Sequence, residues 1–216
     1  LISNIKTLVQ VDTEARKWVA GTDMANLNCI DDAYLLIEGD RITDFGKMED
    51  IPDFDDKEGF DCIEEYDATG RMVFPSFCDS HTHLVYAGSR EIEYSDKIKG
   101  LSYEEIAKRG GGILNSAKLM HEATEEELYE SAMERIHEII SLGTGAVEIK
   151  SGYGLTLADE LKMLRVIKRL KESTPLTIKS SFLGAHAVPA EYIGRQAEYV
   201  DMVINEMIPL VAAEDL

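Results

Sequence analysis

After Pro75 the sequence alternates between two hydrophobic rhythms, and this alternation restricts the fold more than any other feature. Short apolar runs such as "GAVEIKSGYG" and "LTIKSSFLGAHAVP" read as buried strands. Stretches with helical spacing separate and follow them. "TEEELYESAMERIHEIISLG" offers Thr124 as N-cap and Glu127 three residues on, the two halves of a capping box. Leu128, Ala132, Ile136, Ile139 and Ile140 then form a stripe, and Gly143 supplies the stop. "TLADELKMLRVIKRLKEST" predicts a second helix with Leu157, Leu161, Leu164, Ile167 and Leu170 inward, and "AEYIGRQAEYVDMVINEMIPLVAAEDL" predicts helix again. Apolar strands separated by helices pair in parallel under a helical cover, so this part is α/β. Three such strands are too few for a closed eight-stranded barrel, which takes ~250 residues. A chain of 216 residues that opens on Leu1 and stops after a helix is expected to be the first part of a longer protein.

Residues 1–73 follow a different pattern. "LISNIKTLVQV" is rich in β-branched residues, and "AYLLIEGDRITDFG" places two apolar runs around Gly39-Asp40, a hairpin signal. Ile51 to Gly59 reads as a loop, and "CIEEYDATGRMVFPSF" as strand, turn and strand with the turn at Asp67 to Gly70. The expected division is a small β-rich domain over 1–73 and an α/β domain over 74–216.

Charge narrows the partners. With 22 Lys and Arg against 41 Asp and Glu, the net charge is −19, which repels phosphate backbones and anionic lipid. Neither nucleic acid nor membrane is an expected partner. Cys29, Cys62 and Cys78 lack metal-site spacing and fit free thiols in a reducing compartment, so a cytoplasmic location is expected.

The candidate chemistry sits at strand ends. In "FPSFCDSHTHLVYAG", His81 and His83 close an apolar run. Residues two apart on a strand share a face, so H-x-H presents two imidazoles suited to one Zn²⁺ or Fe²⁺. Asp79, two residues earlier, is a candidate to orient a ligand. Arg90 suits capture of a substrate carboxylate. Tyr153, between two glycines in "EIKSGYG", closes the second strand as a candidate substrate contact, and His186, in "FLGAHAVP", closes the third at the same level and fits a site better than a core. Lys150 is placed to pair with Glu148 or to line the pocket, and Gly110 to Gly112 read as a turn that fits no phosphate-loop pattern. His121 and His137 fall on helices and read as structural or exposed.

Taken together, "PSFCDSHTHLVYAGSRE", "YEEIAKRGGGI", "VEIKSGYGL", "ELKMLRVIKRL" and "FLGAHAVPAEY" resemble, in that order, the imidazolonepropionase family of the amidohydrolase superfamily. The resemblance runs from Phe74 to about Tyr192 and departs where Ser76 and Ser80 replace the usual Gly and Pro. It implies a (β/α)8 barrel of the metal-dependent hydrolases, preceded by a small β-rich domain that is incomplete here. It implies one Zn or Fe ion per subunit, with His81 and His83 as its first two ligands and Arg90, Tyr153 and His186 on the substrate. The reaction implied is hydrolysis of the ring amide of 4-imidazolone-5-propanoate to N-formimidoyl-L-glutamate in histidine degradation, by a full-length homodimer. The family's third histidine ligand and its proton-shuttling aspartate would lie beyond Leu216, so no catalytic residue is assigned here and the chain alone is expected to be inactive. The alternatives are another amidohydrolase, such as a cyclic-amidine deaminase, and a non-catalytic truncated pseudo-enzyme.

Overall fold

A computed structural model describes residues 1–14, 16–53, 64–108 and 111–216. Its contacts divide into two units, Leu1–Pro75 and Ser76–Leu216.

The first unit is a five-stranded sheet. β1 (Ile2–Val9) pairs antiparallel with β2 (Cys29–Glu38), and β2 with β3 (Arg41–Lys47). Gly39 and Asp40 make the two-residue connection between Glu38 and Arg41, which face each other, and Gly39 takes φ 59°. On the other side of β1 run β4 (Tyr66–Asp67) and β5 (Met72–Val73), both parallel to it. They are one extended passage interrupted by the Ala68–Arg71 turn, in which Arg71 N–H donates to Ala68 O. Ile5, Leu8, Ala33, Leu35 and Ala68 form the core of this unit. Part of the expected Ile51–Gly59 loop, and Cys62, lie outside the described residues.

The second unit holds a parallel three-stranded sheet in the order β6 (Phe77–Thr82), β7 (Thr144–Lys150), β8 (Thr177–Ser181). Four helices lie between β6 and β7: α1 (Glu91–Ile98), α2 (Tyr103–Lys108), α3 (Ile113–Glu122) and α4 (Glu125–Ser141). α3 carries Ile113, Ala117 and Met120 at helical spacing, with Met120 fully buried. α5 (Leu157–Ser173) crosses from β7 to β8. The stripes of α4 and α5 do what their spacing requires. Leu128, Ala132 and Ile136 meet Val147 and Ile149 of β7, Ile178 of β8, and Leu164, Ile167 and Leu170 of α5 in one core. Each of the Leu, Ile and Val side chains among them contributes roughly 1.5–3 kcal/mol by leaving water. Thr124 and Glu127 form the reciprocal capping box at the start of α4.

The terminal helical segment is less regular than its pattern. α6 (Gln196–Met202) runs through a π-turn at Val203–Met207 into α7 (Ile208–Ala213). Pro209 lies in the first turn of α7 and lacks the N–H a regular ladder needs, which explains a widened turn at that place. Among the described residues, no helix is long and apolar enough to cross a membrane.

Candidate functional site

The C-terminal ends of the three parallel strands bring four aromatic side chains together. The His81 and His83 ring centroids lie 5.7 Å apart, edge to face. Tyr153 stacks on His83 with centroids at 4.8 Å, and His186 lies 5.5 Å from His83 and 5.7 Å from Tyr153. Residues up to 105 positions apart in sequence (His81 to His186) thus converge because parallel strands end on one edge of the sheet, where such folds carry their chemistry.

The H-x-H pair is not built on a regular strand. Between β6 and β7 the register runs from Asp79 opposite Val147 to Thr82 opposite Ile149, so β6 spends one extra residue there. That bulge carries His81 and re-aims it relative to an ideal two-residue repeat. Asp79 supports the bulge. Its Oδ1 accepts from the backbone N–H of His81 at 3.1 Å, so it orients the main chain and not an imidazole. Thr82 Oγ1 donates to Glu148 O at 2.6 Å and fixes the end of β6 to β7. Beyond His83, Arg135 of α4 donates to Leu84 O at 2.8 Å and lies 3.6 Å over the Tyr86 ring.

Electrostatics keep His83 neutral. Burial lowers its pKa first, and the neighbouring His186, His81 and Lys150 lower it further, while Glu148 opposes them. Its Nδ1 is buried with no hydrogen-bond partner. A neutral imidazole with an orphaned nitrogen is the form that ligates a metal. The donor set therefore fits a Zn or Fe ion in part. Among the described residues, no group of three or more His, Cys, Asp or Glu side chains could hold a metal ion. Two imidazoles leave a tetrahedral set half filled.

The other candidates are distributed around this cluster. Lys150 is ion-paired with Glu148, both largely buried. Burial raises the Glu148 pKa, but Lys150, Ser181 and the Thr82 backbone together outweigh it and hold the carboxyl below its ordinary value. Arg90 stands at the N-cap of α1, and its Nε and Nη2 donate to Glu93 Oε2 at 2.9 and 2.5 Å. Glu93 Oε1 accepts from Gly112 N–H at 2.8 Å, which ties the described part of the glycine turn to Arg90; Gly110 lies outside the described residues. His137 is exposed on α4. His121, in the last turn of α3, meets the buried Asp159 through Nδ1 at 2.9 Å.

Sequence reading missed the residues that hold the cluster. Gly152 takes φ 107°, and a Cβ there would come within 2.7 Å of His186 Nδ1. A Cβ on Gly154 would strike the Glu160 backbone nitrogen at 2.4 Å. Tyr153 therefore sits between two positions that admit no side chain. Glu160 and Tyr199, both buried, bond to the main chain around it. The available signal was a carboxylate in the first turn of a helix that follows a glycine-rich loop. It was obscured because Glu160 adjoins Leu161 of the apolar stripe.

Comparison with known proteins gives a consistent picture. No protein-family model matches the chain. Imidazolonepropionase from Christiangramia forsetii is 55% identical over 216 residues, which are 100% of this chain and 51% of that protein. Imidazolonepropionase from Flavobacterium psychrophilum is 53% identical over the same span and share. The chain spans about half the length of the curated relatives it matches. Among solved structures, a mutant of atrazine chlorohydrolase TrzN from Arthrobacter aurescens, complexed with zinc and atraton, aligns with a TM-score of 0.50 and 14% identity. The alignment covers 94% of this chain and 42% of the chlorohydrolase, a likeness of fold.

Proposed function

We propose that this chain, which is homologous along its whole length to imidazolonepropionases and spans about half of one, is the N-terminal portion of a metal-dependent (β/α)8-barrel amidohydrolase. The complete protein hydrolyses the ring amide C–N bond of 4-imidazolone-5-propanoate to N-formimidoyl-L-glutamate. The observation that carries this reading is the convergence of His81, His83, Tyr153 and His186 at one end of a parallel sheet.

His81 and His83 would hold a Zn or Fe ion, with further ligands from outside this chain. Such an ion, when bound, supplies Lewis acidity toward the carbonyl and a water of lowered pKa. Burial holds His83 in the neutral form this requires. Tyr153 and His186 flank the ring of the substrate. Arg90 takes the propionate, and Glu93, which engages its Nε–Nη2 edge, sets the plane in which the guanidinium is presented. Overall, the water oxygen joins the carbonyl carbon and the departing ring nitrogen takes up a proton.

The test is turnover of 4-imidazolone-5-propanoate by the full-length protein, before and after chelation. Loss of activity on chelation and its return with Zn²⁺ or Fe²⁺ is the expected result. An intact, metal-loaded protein that leaves this substrate untouched would overturn the proposal.

A further inference from the structure

Glu160 is fully buried, although a carboxylate is costly to remove from water. Its hydrogen bonds explain the placement. Oε1 accepts from the backbone N–H groups of Gly152, Gly154 and Leu155 at 3.1, 2.8 and 3.0 Å, and Oε2 from Gly152 at 3.0 Å. These are the N–H groups of the turn between β7 and α5, which no strand or helix would otherwise satisfy. The turn is also conformationally demanding, with φ 107° at Gly152 and 59° at Leu155, a β-carbon-bearing residue in the left-handed region. Left alone, a loop with two glycines would sample many states.

The opposite side of the turn is fastened as well. The buried Tyr199 hydroxyl is shared between Leu155 O at 3.0 Å and Gly184 O at 2.6 Å. Ser151 Oγ accepts from Leu183 N–H at 2.8 Å. These bonds join the turn that carries Tyr153 to the loop that carries His186. The phenol stays protonated as a donor, because burial and then Glu160 push its pKa to about 12.

We propose that Glu160 is a positioning residue, whose buried carboxylate clamps the 151–155 turn so that Tyr153 is held against His83 and His186. Its consequence for catalysis rests on the amidohydrolase reading above; the clamp itself does not. A glutamine at this position keeps the size of the side chain and one acceptor oxygen, but it removes the negative charge that strengthens all these bonds and turns an N–H₂ toward Gly152 N–H in place of Oε2.

The experiment is a double-mutant cycle in the full-length protein, paired with amide hydrogen exchange. Glu160→Gln should lower kcat/KM for 4-imidazolone-5-propanoate by about 10- to 100-fold, the scale of a small misplacement of a contact group. In a Tyr153→Ala background the same change should cost nothing further, because the clamp would have no ring left to position. Tyr199→Phe should show the same dependence on Tyr153 with a smaller loss, and it decides the matter if Glu160→Gln does not fold. Exchange at Gly152, Gly154 and Leu155 should quicken at least tenfold in Glu160→Gln, with the amides of Leu161 to Leu170 unchanged. Effects that multiply with Tyr153→Ala, or exchange in the turn that does not move, would overturn the proposal. If the wild-type protein shows no turnover, the functional reading fails, and exchange alone then decides whether Glu160 clamps the turn.

Discussion

At the scale of single residues, His83 and His186 make a useful contrast. Both rings belong to one cluster, but only His83 has a buried nitrogen without a partner. Leaving such a group unsatisfied costs about 1–3 kcal/mol, a cost that ligation would offset. In the full-length protein, His83→Ala is expected to abolish metal content measured by atomic absorption. His186→Ala should leave metal content intact and lower turnover. Equal loss of metal in both variants would contradict the roles assigned to them. For Arg90 the expected signature is kinetic. Arg90→Ala should raise KM for the propionate substrate by about 10- to 100-fold, the worth of a charge-assisted contact, with a smaller change in kcat. Arg90→Lys should restore little, because an ammonium cannot present the planar fork. The H-x-H pair was legible as two imidazoles at a strand end, although the two-residue repeat that suggested it does not run regularly through them. The bulge at His81 was not, since it depends on how β6 registers against β7, 60 and more residues away.

Among the elements, α4 was legible because spacing, cap and stop agreed, and α5 because its apolar spacing was regular. α1 was not, for a physical reason. Ile92, Tyr94 and Ile98 are 75, 67 and 72% exposed, and the buried residue of this helix is Asp96. A helix that does not bury its apolar residues in its own chain leaves no stripe to read. The connection between α3 and α5 carries a testable electrostatic contribution. Burial alone raises the Asp159 pKa, but hydrogen bonds from His121, Thr156 and Lys162 outweigh it and hold the carboxyl below its ordinary value of 3.8. A lowered folded-state pKa means that the unfolded chain binds its proton first. The stabilisation from Asp159 is therefore complete above pH 3.8 and is lost as pH falls below that value through the folded pKa. Urea midpoints measured across this window should fall more steeply for the wild type than for Asp159→Asn, which should start less stable at neutral pH. Parallel curves would show that the ion-pair cluster contributes nothing. At the start of α4, Thr124→Ala removes the Oγ1 that accepts from Glu127 N–H, while the backbone N–H of residue 124 can still donate to the Glu127 carboxylate, and should cost about 1 kcal/mol of stability in the same assay.

For the molecule as a whole, the decisive feature is a sheet with two bare edges. Among the described residues, β6 and β8 each pair only with β7. Residues Phe77 to His81 of β6 are exposed, with Phe77 at 62%. Strand edges of this kind template pairing with whatever strand is available. The alternation after Pro75 made the three-stranded parallel sheet legible, whereas barrel closure, which belongs to the proposed reading, cannot be read from three strands. On the reading proposed above, the further length of the relatives, which are about twice as long as this chain, would supply strands to cover those edges. The 216-residue chain by itself is accordingly expected to bind apolar dyes, to associate as concentration rises, and to show no turnover of 4-imidazolone-5-propanoate. On the same reading, co-expression with the C-terminal half of such a relative should suppress dye binding and give metal-dependent activity together, because the added strands would pair the edges and complete the ligand set. Light scattering, dye fluorescence and the turnover assay, run on the chain alone and on the reconstituted pair, check this directly. A monomeric, dye-silent and active chain would mean that these three strands already form a finished site.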